Sequence, residues 1–178
     1  MPVSIREQTT TLLESLRGVW DELAVDELDH ALQSAARALD DGADDELVLA
    51  AALHDIGHSP LLAGRSAAHD RLAREWLTPR FGARVGWLAG AHVAAKRHLA
   101  ATEAGYADGL SDVSIASLRR QGGAAVEDGW GDHPWWPDAL RLRRYDDAAK
   151  DPGARGLDMA TVVALAERIG NAHRASGA

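Results

Sequence analysis

The sequence predicts an all-α protein, and three observations carry that expectation. Ala and Leu dominate the apolar positions, and those positions recur every three to four residues. Val and Ile seldom alternate with polar residues over the roughly four to eight positions a strand needs. The 178 residues suit one domain, 1–178, able to bury a sizeable core.

Each element follows from that period. Leu28, Ala31, Leu32, Ala35, Ala36 and Leu39 form one stripe of a helix entered near Asp26 or Asp29 and stopped at Asp40-Asp41-Gly42. Asp44 or Asp45 caps the next helix, about Glu46 to Ile56, which is apolar nearly all round and therefore central. Gly57 and Pro60 end it. A third helix runs from about Ser66 to Leu77 and is broken by Pro79, and a fourth runs from Ala83 or Arg84 to about Thr102. Asp112 or Ser114 opens a short helix that Gly122-Gly123 closes. Gly129 to Pro137 (GWGDHPWWP) reads as loop. Ala139 to Lys150 is helical, Asp151-Pro152-Gly153 stops it, and Met159 to His173 is the last helix.

Composition excludes several classes. With no cysteine there is no disulfide scaffold, zinc-finger cage, iron–sulfur cluster or thiol nucleophile. A formal charge of −8 argues against a nucleic-acid partner, since such binding depends on Lys and Arg neutralising phosphates. The longest apolar run, Leu47 to Leu53, falls far short of the roughly 20 residues of a membrane helix, and no leader is visible. These features predict a soluble, cytoplasmic protein without a membrane partner.

The eight histidines are the informative residues. His54-Asp55-Ile56-Gly57-His58 closes the most apolar helix, where a charged Asp is costly unless a partner compensates it. Metal coordination is one such compensation, satisfying carboxylate and imidazole together. His30 lies beside the first apolar stripe, His69 among Ala67, Ala68 and Leu72, and His92 among Ala89, Ala91, Val93 and Ala95. Each taken alone reads more simply as a core histidine with a hydrogen-bond partner. Several helices directing such groups inward point instead to a shared site, to which Asp146, beside Tyr145, adds a carboxylate. His98, His133 and His173 carry no such pattern, and Trp135-Trp136 reads as loop packed on the core.

An anionic ligand is suggested by the bases nearby. Lys96 is four residues after His92 and shares its helix face. His58 follows His54 by one turn, Arg143 precedes Asp146 by three residues, and Lys150 follows it by four. Lys150 pairs with Asp146 or Asp147 at the surface as readily as it faces a site.

The order H…HD…D, here His30, His54-Asp55 and Asp146, resembles the HD-domain superfamily. With His69 and His92 in between it is similar to the dinuclear branch, over about Asp26 to Ile169. HVAAKRHL (His92 to Leu99), SIASLRRQGG (Ser114 to Gly123) and LRRYDDAAKDPG (Leu142 to Gly153) further resemble the mixed-valent di-iron oxygenases of organophosphonate catabolism. Myo-inositol oxygenase is a more distant likeness.

The resemblance implies a single HD-type helical bundle, with its core at about 26–169, around two iron ions, Fe(II)/Fe(III). His30, His54, Asp55 and Asp146 would hold the first iron; His69 and His92 would hold the second, with Asp55 bridging. His58, Lys96, Ser114, Ser117 and Arg143 would bind the phosphonate oxygens, Arg as a planar fork and Lys as a point charge. Gln121, Lys150 and Trp20 are possible supports. The implied reaction uses O2 to cleave a C–P bond, releasing a carboxylate and inorganic phosphate.

One departure bears on substrate. Ten and seven residues before the first ligand histidine, the aminophosphonate-cleaving members carry an iron-capping tyrosine and an amine-reading glutamate; here those positions are Trp20 and Leu23. Neither side chain pairs with an ammonium, although Asp21 and Glu22 are close in sequence. The expected substrate is therefore a small 1-hydroxyalkylphosphonate without an amine, hydroxymethylphosphonate foremost. Two other readings stay open at this point: an HD-type metal-dependent phosphohydrolase acting on a nucleotide or phosphate ester, and a non-catalytic metal- or ligand-sensing module.

Overall fold

The computed structural model describes residues 3–62 and 68–177, and every regular element among them is helical. Helix α1 (Ile5–Glu14) was not anticipated, although its start is written in the chain. The Ser4 hydroxyl accepts the Glu7 backbone N–H, and the Glu7 carboxylate accepts that of Ser4, a capping box. Ile5, Leu12 and Leu13 bury one face of α1, and the helix packs on α8 (Met159–Ser176).

Helix α2 (Glu27–Asp40) starts at Asp26, whose carboxylate accepts the Asp29 N–H at 2.9 Å. Asp44 does the same for α3 (Asp45–Leu53), accepting the Leu47 N–H at 3.0 Å. Every residue from Leu47 to Leu53 is buried, because α2, α5, α7 and α8 all pack against α3. Helix α3 ends three residues before the expected Ile56. His54 is its C-cap, Asp55 leaves helical geometry at φ −101°, and a 3-10 turn takes over from Ile56 to His58. That early stop turns His54 and Asp55 off the helix end.

Helices α4 (His69–Phe81) and α5 (Ala83–Thr102) form the most extensive pairing. The expected start of α4 at Ser66 lies outside the described residues. Pro79, expected to break this helix, sits inside it. The missing N–H forfeits only a bond to Glu75, both residues are exposed, and the helix ends two residues later, so solvent can serve the freed carbonyl. Helix α6 (Asp112–Arg120) is short, and α7 (Trp136–Ala148) begins inside the expected loop because Pro137 occupies its first turn, where a missing N–H does no harm. Helix α8 continues three residues past the expected His173. Among the described residues no helix is long and apolar enough to cross a membrane.

One close approach couples the fold to the histidines. A Cβ on Gly57 would lie 2.0 Å from the backbone oxygen of His69, so the turn after α3 and the start of α4 touch through a glycine that nothing larger can replace. Gly57→Ala is expected to lower stability in urea by about 1–3 kcal/mol or more, since backbone cannot step aside as a side chain would. An unchanged unfolding midpoint would show that α4 can shift freely there.

Candidate metal centre

Five helices bring six of the singled-out side chains together. His30 comes from the first turn of α2, and His54 and Asp55 from the end of α3. His69 opens α4, His92 lies in the middle of α5, and Asp146 is near the end of α7. Asp55 sits at their centre, and its two oxygens face different partners. Its Oδ2 lies 3.1 Å from His54 Nε2 and 3.3 Å from His30 Nε2. Its Oδ1 lies 3.2 Å from His92 Nε2, 3.4 Å from His69 Nε2 and 3.8 Å from His58 Nε2. Asp146 completes the first group, with its oxygens 3.3 Å from His30 Nε2 and from His54 Nε2.

These donor sets fit a metal on a structural observation. His30 Nδ1 lies 2.9 Å from the Ala149 carbonyl, His54 Nδ1 2.8 Å from that of Ala51, and His92 Nδ1 2.5 Å from that of Ala89. A carbonyl only accepts, so each Nδ1 carries a proton, and a ring in its neutral form presents its Nε2 lone pair to the centre. Yet His30 and His54 bring their Nε2 atoms to 3.4 Å, and His69 and His92 theirs to 3.0 Å. The Oδ1 of Asp55 is buried with no hydrogen-bond donor. Lone pairs and a carboxylate converging without donors call for positive charge between them. His30, His54, Asp55 and Asp146 have ligand atoms close enough to share one ion, as have Asp55, His58 and His69.

The electrostatics agree. Burial pulls His54 down, but the Asp55 and Asp146 carboxylates outweigh it and raise the ring to about 10. His30 is likewise pushed well above the ordinary histidine range, against its burial, by the same two carboxylates. Asp55 and Asp146 are held well below the usual carboxylate range despite burial, Asp55 chiefly by His54 and Asp146 chiefly by Arg143. His69 behaves oppositely: burial pushes it down to about 3, so it stays neutral and ready to donate a lone pair. The pocket at His30 and His54 thus stabilises positive charge, whether proton or metal.

A cavity of about 290 Å³ opens above these groups, and most of the expected substrate-facing residues line it. Lys96 is buried, 3 % exposed, and donates to Ser117 Oγ at 2.7 Å. Burial, with help from the nearby Arg143 charge, lowers its pKa to about 8. Ser114 Oγ accepts from Lys150 Nζ at 2.6 Å and donates to Glu22 at 3.0 Å. Lys150 faces the cavity rather than the surface and pairs with Glu22 at 2.9 Å.

Other positions differ from expectation. Arg143 lines the cavity, but its guanidinium is engaged by Asp146 at 2.6 Å and by Asp147, so it holds those carboxylates rather than standing free as an anion fork. His58 stacks on His69, with ring centroids 4.4 Å apart, and so sides with the Asp55–His69 group. Gln121 reaches the cavity and leaves its buried Oε1 unpartnered. Trp20, expected as a support, is 62 % exposed and absent from the cavity wall, as is Leu23 at 85 %. Glu22 is buried against the cavity in their place and Asp21 lies exposed on its wall, the shifted carboxylates that the sequence put close by. Glu27 and Arg120 also line the cavity and were not anticipated. Glu27 was findable, since it precedes His30 by three residues and so shares its helix face.

No protein-family model matches the chain. It is similar to the hydroxymethylphosphonate dioxygenase of Gimesia maris, 36 % identical over 169 residues that cover 86 % of this chain and 83 % of that protein. It is also similar to a glycine-betaine-forming 1-hydroxy-2-(trimethylamino)ethylphosphonate dioxygenase of Leisingera caerulea. That likeness is 28 % over 180 residues, covering 91 % and 92 % of the two chains. The helical chain thus carries a His/Asp centre whose groups could hold a metal. By its relatives it is an oxidoreductase, and it belongs to the phosphonate dioxygenase family.

The His54 ring sets a pH dependence for metal uptake. Without a cation its pKa of about 10 keeps it protonated at neutral pH, and a metal must displace that proton. Metal binding at pH 7 is therefore expected to release protons, and apparent affinity should rise with pH toward 10. Titration calorimetry in buffers of different ionisation enthalpy measures the release, and a buffer-independent heat would contradict it.

Proposed function

We propose that this protein is an iron-dependent dioxygenase that cleaves the C–P bond of a small 1-hydroxyalkylphosphonate, hydroxymethylphosphonate foremost, on a single HD-type helical bundle. The observation that carries the reading is Asp55, whose two oxygens face two separate imidazole groups on the floor of a cavity that holds Lys96. That arrangement suits two cations bridged by one carboxylate: His30, His54, Asp55 and Asp146 would hold one, and Asp55, His69 and His92 the other. His58 stands close enough to add to the second. Two irons bound there would supply the redox chemistry with O2 and the Lewis acidity that activates the substrate hydroxyl.

The chain's own residues bind and orient. Five carboxylates line the cavity (Asp21, Glu22, Glu27, Asp55 and Asp146) against four basic side chains (Lys96, Arg120, Arg143 and Lys150). With all of these ionised, a single divalent cation is enough to make the wall net positive and receptive to an anion. Arg143 and Lys150 are already paired with carboxylates, whereas Lys96 donates only to the neutral Ser117 hydroxyl. Lys96 and Ser117 are therefore the seat of the phosphonate oxygens, and Ser114 adds a hydroxyl beside them. Arg143 keeps Asp146 aimed at the centre, and the buried walls limit water around the reacting carbon.

Glu22 favours a substrate without an amine. Its carboxylate is buried and already accepts from Lys150, Ser111 and Ser114, which together hold its pKa below the usual range against its burial. A neutralised carboxylate offers an ammonium little. For hydroxymethylphosphonate the balance is one O2 consumed, formate and inorganic phosphate formed, and one oxygen atom delivered to each product.

The iron-loaded protein is expected to consume O2 and release phosphate one for one with hydroxymethylphosphonate, and to turn over the 2-amino-1-hydroxyethyl analogue at least about tenfold less efficiently, the size of one lost or unmatched polar contact. A preference for the amine would reverse the substrate assignment, and phosphate release from esters without O2 would point to a hydrolase. Lys96 adds a pH limb. It holds an anion only while protonated, so KM should climb as pH rises through about 8, and Lys96→Gln should raise KM and flatten that climb.

A further inference from the structure

Glu27 is a buried acid that the six-residue ligand set leaves without a role. It opens α2 one turn before His30, is 2 % exposed and lines the cavity. Its Oε2 is buried with no hydrogen-bond partner. Its backbone N–H is already spent on the Val19 carbonyl at 2.8 Å, which fixes where the side chain leaves the helix. Neither Lys nor Arg figures among the main charges it feels. Burial and then the Asp55 and Asp21 carboxylates raise its pKa, to about 8, and only His30 and His54 draw it the other way.

A carboxyl in that position has two ways to be satisfied, a proton or a cation. Its neighbours decide between them once a metal is present. The imidazoles that partly compensate it are those whose lone pairs face the first group, so any cation seated among His30, His54, Asp55 and Asp146 lies on the side from which Glu27 already draws its compensation. We propose that Glu27 is a further acidic residue of the metal centre, its carboxylate compensating the cation held by His30, His54, Asp55 and Asp146. The proposal rests on reading that cluster as a metal site, as above.

Cobalt(II), a redox-stable probe whose visible bands report coordination, tests it on the full chain. Wild type, Glu27→Gln and Glu27→Asp are compared for cobalt affinity, visible spectrum and Tm with and without the metal. The isosteric Glu27→Gln should bind cobalt about 10- to 100-fold more weakly with altered bands. Its metal-free Tm should be equal to or above wild type, because an uncompensated acid has been removed. Glu27→Asp, keeping the charge, should recover most of the affinity, whereas a merely space-filling role would leave Asp no better than Gln. Cobalt affinity within about twofold of wild type in Glu27→Gln, with unchanged bands, overturns the proposal alone. A wild type that binds no cobalt overturns the metal-site reading and this proposal with it.

Discussion

Three imidazoles around Asp55 give their Nδ1 protons to backbone carbonyls, and that commitment constrains everything else in the site. A neutral histidine has one proton, so spending it on Ala149, Ala51 or Ala89 leaves only a lone pair for the interior. The carboxylates of Asp55 and Asp146 meet those lone pairs at 3.1 to 3.3 Å, where two acceptors repel. Protons on the rings can relieve this in the absence of metal, which is why His30 and His54 are driven far up in pKa. A cation relieves it without disturbing the outer hydrogen bonds. The backbone carbonyls therefore do more than orient rings: they make the interior acceptor-only and so selective for positive charge.

Part of this arrangement is local and legible in the chain. His54 and His92 each bond the carbonyl three residues back on their own helices, at Ala51 and Ala89. His30 instead uses Ala149, 119 residues away, just past the end of α7. Apolar periodicity was enough to place the helices that carry these histidines, because His30, His54 and His92 sit among buried apolar residues. It could not say where α3 would stop, and the site depends on that stop: ending at Leu53 lets Asp55 leave helical geometry and sit between two groups of rings.

What was not legible was set by contacts far apart in sequence. Lys150 had two equal readings, surface partner or cavity base, and the deciding residue, Glu22, comes from a loop at the other end of the chain. Arg143 carried the right charge at the right spacing, but spacing does not reveal that Asp146 and Asp147 take up its guanidinium. Trp20 and Leu23, which the resemblance singled out, are both exposed, whereas Glu22 between them is buried and Asp21 lies on the cavity wall. Helix α1 went unread for another reason: its capping box is plain, but its apolar face is short and gains its burial only against α8.

The overall acidity and the cluster of bases on the cavity wall are reconciled by pairing rather than by local excess of base. The chain's charge of −8 does not describe the cavity wall, where several carboxylates are matched by bases. Glu22 is paired with Lys150, and Asp146 and Asp147 share Arg143. Lys96 alone among these three bases has no carboxylate within ion-pair range, and burial leaves it only the Ser117 hydroxyl. A buried ammonium without a counterion is as incomplete as a buried carboxylate without a cation. The cavity thus has carboxylates that want positive charge and a buried ammonium that wants negative charge. A small anion that also carries a metal-binding hydroxyl satisfies both ends at once, which is why the two halves of the site are read as parts of one chemistry.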